Sequence, residues 1–128
     1  MNIQFAVVGV PVPQGSMKHI GNGRLIPNND KKLKDWRKVI AKSALEQTDV
    51  RGYSDGLRVT AFFVFEKPKS VKRDQPTVPP DLDKLCRAVG DAISIDANII
   101  NDDSQIIEWN AKKEYGAVAG CFITLEKI

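Results

Sequence analysis

The stretch Leu57 to Phe65 constrains this chain more than any other. It is rich in β-branched and aromatic residues, and both of its alternating faces are largely apolar. Such a strand is expected inside a sheet, with cover on both sides. The rest of the chain must then supply its neighbours and its covering helices.

Upstream, Ile3, Phe5 and Val7 alternate with Gln4, Ala6 and Val8, which predicts a first strand. It ends in Gly9-Val10-Pro11-Val12-Pro13-Gln14-Gly15-Ser16, and the loop continues through Lys18, His19, Gly21, Gly23 and Arg24. A connection this long is either a plain hairpin or a basic, glycine-rich flap that touches phosphates. Asn28, Asn29 and Asp30 supply a helix start, after which Leu33, Trp36, Ile40 and Ala44 recur at helical spacing. That helix fades at Gln47-Thr48-Asp49.

Behind the central strand lies a basic loop, Lys67-Pro68-Lys69-Ser70-Val71-Lys72-Arg73, and then a proline-rich run to Pro80. Leu82, Leu85, Val89, Ala92 and Ile93 predict a second helix with one buried face, entered through Asp81 as N-cap. Asp83, Arg87 and Asp91 follow one another at i+4 steps along a different stripe. After the turn-like Asp96-Ala97-Asn98, Ile107, Trp109 and Ala111 alternate with Glu108, Asn110 and Lys112, a strand with one wet face. Val118 to Leu125 is a final strand, expected to pair with its predecessor as an antiparallel hairpin. The order β-α-β-α-β-β predicts an α+β fold: a single domain over residues 1–128, with a mixed four-stranded sheet and two main helices.

Composition excludes more than it identifies. With two cysteines in no CxxC spacing and one histidine, a thiolate or imidazole zinc site is not expected. Cys86 and Cys121 both fall in apolar surroundings and read as packed, reduced thiols. No run approaches the roughly 20 apolar residues that span a bilayer, and the apolar start lacks a basic leader, so a cytoplasmic protein without membrane contact is expected. The net charge of +3 barely favours nucleic acid by itself; the clustering of cations ahead of an acidic segment says more.

That acidic segment is Asp81 and Asp83, and a second pair, Asp102-Asp103, follows the helix. If Asp81, Asp83 and Asp103 converge, their mutual repulsion is relieved by a divalent cation, and Mg²⁺ needs only one or two carboxylates beside substrate phosphate. Arg87 would then neutralise charge developing on a phosphodiester, held in place by Asp91. The plainer alternative is that Asp81 is an ordinary N-cap and that Asp102-Asp103 caps a turn.

The pattern resembles the RusA family of Holliday junction resolvases. The resemblance is carried by Asp81-Leu82-Asp83-Lys84-Leu85, by Arg87-Ala88 and Asp91-Ala92-Ile93, and by Asn101-Asp102-Asp103-Ser104-Gln105-Ile106. The Pro11 to Ser16 loop and Lys34-Asp35-Trp36-Arg37 also look like that family's amino-terminal half. The resemblance implies a RusA-like fold and a homodimeric, Mg²⁺- or Mn²⁺-dependent endodeoxyribonuclease of phage or prophage type. Such an enzyme would be structure-selective, resolving four-way junction DNA by paired nicks in recombination and repair. By position, Asp81, Asp83 and Asp103 match its metal-binding catalytic acids, with Asp102 a supporting neighbour. Arg87 stands where the family usually has a catalytic lysine; it keeps the charge but cannot release a proton. Lys84 stands where Asn is frequent, and Ile99 and Ile100 where an aromatic residue is frequent. Lys18, Arg24, Lys67, Lys69, Lys72 and Arg73 would contact phosphates along the DNA arms. The competing readings are a catalytically inert junction- or DNA-binding module, and an unrelated metal-dependent phosphohydrolase or RNase.

Overall fold

In a computed structural model of the protein, which describes residues 1–15, 17–20, 24–27 and 30–128, the central strand finds its neighbours through a crossover. The elements are β1 (Asn2–Val8), a hairpin of β2 (Met17–Ile20) and β3 (Arg24–Pro27), α1 (Asp30–Leu45), β4 (Leu57–Glu66), α2 (Leu82–Asp91), β5 (Ile106–Gly116) and β6 (Gly120–Lys127). The main sheet has the order β1-β6-β4-β5. β4 runs antiparallel to β6 and parallel to β5, so the four-stranded sheet is mixed, as expected. The β2–β3 hairpin lies within the connection read from sequence as a hairpin or flap. Gly21, Gly23 and the helix-starting pair Asn28-Asn29 fall outside the described residues.

The last two strands do not form the expected hairpin. α2 carries the chain from the end of β4 back to its beginning, so β5 must run parallel to β4, beside it. That occupies one side of β4, and β6 takes the other, between β4 and β1. The link between Gly116 and Gly120 therefore passes the end of β4 rather than closing a two-strand turn.

Cover on both faces of β4 also fails. Leu57, Val59, Ala61 and Phe63 are fully buried in the shared core, whereas on the other face Arg58, Thr60 and Phe62 are only partly covered and Val64 alone is buried. Both helices share one core with a single sheet face, and among the described residues no element lies over the other. Val8 and Phe122 are exposed there.

β5 is one of the two edge strands, and its register to β4 shifts between the pairs Leu57–Ile106 and Arg58–Glu108, leaving Ile107 as the extra residue. This bulge breaks the simple alternation read from sequence: Ile107 is exposed, while Trp109 pairs in register with the buried Val59. α2 buries Leu85, Ala88 and Val89, and a π-helical turn, Ala92–Asp96, continues it with Ile93 fully buried. The predicted turn follows, with Asn98 at a φ of 52°, a left-handed conformation that Asn tolerates better than most residues. No helix among the described residues is long and apolar enough to cross a membrane.

Candidate active site

Asp81 occupies the N-cap position of α2, with extended backbone at φ −69° and ψ 141°. Its carboxylate makes no capping bond and instead lies 3.4 Å from the Lys84 ammonium. The approach to Asp81 is fixed from β5: Lys113 Nζ donates to the carbonyl oxygens of Val78 and Pro80, each at 2.9 Å. Arg73 Nε donates to the Tyr115 hydroxyl at 2.9 Å, which ties the basic loop to the same strand. Within that loop Lys69 and Lys72 are exposed, and Lys67 lies 3.9 Å from Asp74. The side chains of Lys18 and Arg24 lie outside the described residues.

The second acidic pair divides its roles. Asp102 caps the 3-10 turn Asp103–Gln105: its carboxylate accepts the Ser104 N–H at 2.9 Å, and the Ser104 side chain first and this N–H second hold its pKa below the usual carboxylate range. Gln105 completes the capping box, its Oε1 accepting the N–H groups of Asn101 and Asp102 at 2.8 and 2.9 Å. Its Nε2 donates to the carbonyls of Tyr53 and Asp55, at 2.8 and 2.9 Å. One glutamine therefore locks the turn internally and pins it to the Tyr53–Gly56 bend. Asp103 is left exposed with its side chain turned toward α2.

There it meets the helix. A Cβ added to Gly90 would lie 3.6 Å from Cβ of Asp103, so α2 and the 3-10 turn pack in direct contact. Between them lies a cavity of about 600 Å³ whose polar members are Asp83, Arg87 and Asp103. Leu82, Cys86, Ile106 and Trp109 contribute apolar walls. The Cys86 thiol is pushed up to about 11 by burial first and by the charge of Asp83 second. It is therefore a neutral wall at physiological pH, not a nucleophile. Cys121 is likewise shifted upward by burial, and both cysteines are free, as expected from sequence.

The loop after β1 also closes on α2, beside Arg87. Gln14 N–H donates to the Lys84 carbonyl at 2.9 Å, and Gln14 Nε2 donates to the Asp91 carboxylate. Gly15 follows at a φ of +100°, and any Cβ there would run into the Arg87 guanidinium. Burial raises the Asp91 pKa and the charge of Asp103 adds to the rise; Arg37, the Gln14 hydrogen bond and, last, Arg87 oppose it. Asp91 thus leans on Gln14 and Arg37 before Arg87, a different balance from the simple i+4 pair read from sequence.

Of the three acids expected to converge, Asp83 and Asp103 share the cavity and Asp81 turns to Lys84. Among the described residues, no three His, Cys, Asp or Glu side chains are gathered closely enough to hold a metal ion. Sequence reasoning did not single out Gln14, Trp109 or Lys113, and it quoted Gln105 only for its resemblance. The available signals were faint: a Gln beside Pro and Gly, and a Trp and a Lys on one strand.

The comparison with family models bears directly on this geometry. The model described as "Endodeoxyribonuclease RusA" matches residues 9–126, nearly the whole chain. The chain belongs to the RusA family. RusA proteins are endodeoxyribonucleases, Holliday junction resolvases that generally depend on a divalent metal. Curated proteins returned no match. The donors of the cavity suit such a metal: Asp83 and Asp103 are carboxylates, the oxygen ligands a hard dication prefers, and two are enough when substrate phosphate and water complete the shell.

Proposed function

We propose that residues 1–128 act as one Mg²⁺-dependent, structure-selective endonuclease domain that resolves four-way DNA junctions by paired nicks, in a phage or prophage setting. The observation that carries this reading is the single cavity lined by Asp83, Arg87 and Asp103 in a chain of the RusA family. Asp83 and Asp103 would hold the metal, with Asp81 joining them. A bound divalent cation would supply an activated water and charge neutralisation at the scissile phosphate.

The protein's own groups do the rest. Arg87, exposed on the cavity wall, offers fixed positive charge to a pentavalent phosphorane and fits an electrostatic role rather than proton donation. Asp102 and Gln105 orient Asp103 through the capping box. Lys67, Lys69, Lys72 and Arg73, carried on the loop that leads to Asp81, would hold flanking phosphates, joined by Lys18 and Arg24. A two-fold homodimer would match the symmetry of the junction and set two nicks opposite each other. The uncovered sheet face with Val8, Phe62 and Phe122 supports such pairing.

The test is nicking of a synthetic four-way junction with Mg²⁺ or Mn²⁺. Asp83→Asn and Asp103→Asn should each abolish cutting while junction binding survives. Cutting retained by either variant across a metal titration removes the assignment. One observation favours an inert junction-binding module instead, namely Arg87 in place of the proton-releasing lysine usual in the family. Wild-type protein that binds junctions and never cuts, with either metal, would establish that reading.

A further inference from the structure

The cavity is more apolar than phosphodiester chemistry requires. Asp83, Arg87 and Asp103 account for metal and phosphate, yet Leu82, Cys86, Ile106 and Trp109 line the same space. Trp109 is the least expected of them. Its sheet partner Val59 is fully buried, but Trp109 itself remains 38% exposed on the side of the sheet that carries the helices. β5 is an edge strand, so among the described residues no further strand shields the indole. At about 600 Å³ the cavity is in the size range of small-molecule sites and can take a base together with its sugar.

We infer that the apolar part of this cavity receives one unstacked base of the DNA substrate, next to the phosphate that Arg87 and a dication on Asp83 and Asp103 would hold, with Trp109 as its stacking surface. The inference rests on the nuclease reading for where the phosphate lies. The chemistry that fits is specific: an aromatic face and aliphatic walls for a planar ring, directly beside groups that hold a phosphate. Stacking on an aromatic side chain tolerates any base, because every base has a π-face. Unstacking, however, is least costly where the helix is already interrupted. A pocket of this kind therefore rewards DNA whose stacking is broken at a branch point over continuous duplex. It would contribute to structure selectivity without reading a base edge.

The experiment is a double-mutant cycle across the protein–DNA contact. Junctions carry a single abasic residue at each position flanking the cut in turn. Wild type, Trp109→Phe and Trp109→Ala are compared by fluorescence anisotropy with Ca²⁺, another oxygen-ligated dication, in place of Mg²⁺, and in parallel by cleavage with Mg²⁺. At one position the abasic residue should weaken wild-type binding about tenfold, the size expected for one stacked base. That penalty should persist in Trp109→Phe and vanish in Trp109→Ala. Additive effects at every position scanned, in protein that still binds junctions, overturn the base pocket. The two readings fail separately: coupling without any cutting by wild type refutes the nuclease alone, and cutting without coupling refutes the base pocket alone.

Discussion

Lys113 is the residue whose replacement tests most directly whether the approach to Asp81 is held in place. Its ammonium bonds two carbonyls, of Val78 and Pro80, each at 2.9 Å, and Pro80 is the residue immediately before Asp81. Hydrogen bonds to a charged group contribute about 1.5–3 kcal/mol when buried. Val78 is exposed and Pro80 only partly buried, so water can replace much of what Lys113 supplies. About 1 kcal/mol for each bond is then the appropriate scale, roughly 2 kcal/mol for Lys113→Met. At about 3–4 °C per kcal/mol for a chain of this size, Tm should fall by about 6–8 °C. The functional effect should be distinct from the loss of stability. With the loop released, the Mg²⁺ concentration giving half-maximal junction cutting should rise several-fold, while cutting at saturating Mg²⁺, below the melting range, stays near wild type. Lys113→Arg should recover much of both. An unchanged Tm would refute the bond energetics, and a lower Tm with an unchanged Mg²⁺ midpoint would refute the positioning role.

Two further perturbations probe the loop that closes on α2. Gly15→Ala forces a side chain onto a φ of +100° and against the Arg87 guanidinium; it should cost about 1–2 kcal/mol in chemical denaturation and lower cutting more than binding, and normal cutting would sink the idea that this glycine makes room for Arg87. Asp91 has a raised pKa in the folded protein, so the folded state binds its proton more tightly than the unfolded chain. Its stability contribution is present below the ordinary carboxylate pKa and is lost as pH rises through the raised value. Asp91→Asn, neutral throughout, should therefore raise Tm most at neutral pH and lose that advantage near about pH 4. A gain no larger at neutral pH than in acid would contradict the sign.

Much of this fold was legible because the sequence signals were local and strong. The 3.6-residue spacing of Leu85 and Val89 located α2, and Asn98 announced the turn that follows it. What could not be read was partnership between strands. β5 and β6 are close in the chain, which suggests a hairpin, but the crossover through α2 commits β5 to run parallel beside β4. Only the long-range consequence of that crossover puts β6 on the other side. The bulge at Ile107 had the same effect on a smaller scale: alternation from Ile107 to Ala111 is present in the letters, yet one extra residue moves Ile107 out of step. At the site, the acids were visible as pairs. Their anchors were not, because Gln14, Gln105 and Lys113 act mainly on backbone carbonyls and on residues dozens of positions away, and such contacts leave no periodicity.

The distribution of charge around Asp81 is compatible with the proposed dication site even though, among the described residues, three acids are not already gathered. Asp83 rides on a helix fixed by Leu85 and Val89, and Asp103 opens a turn locked by its capping box, so both carboxylates stay where the fold puts them. Asp81 is different: it stands at a helix end, exposed, with Lys84 as its counter-ion. A pair this open to solvent is worth at most about 1 kcal/mol, so exchanging Lys84 for a dication costs little. Two carboxylates near each other on a rigid frame, plus one held aside by a weak internal cation, avoid the repulsion that three packed carboxylates would impose on the metal-free fold. Lys84 then does two things at once. It neutralises Asp81 in the metal-free fold, and under the proposed function it would leave a positive charge near the scissile phosphate if Asp81 turned to the metal.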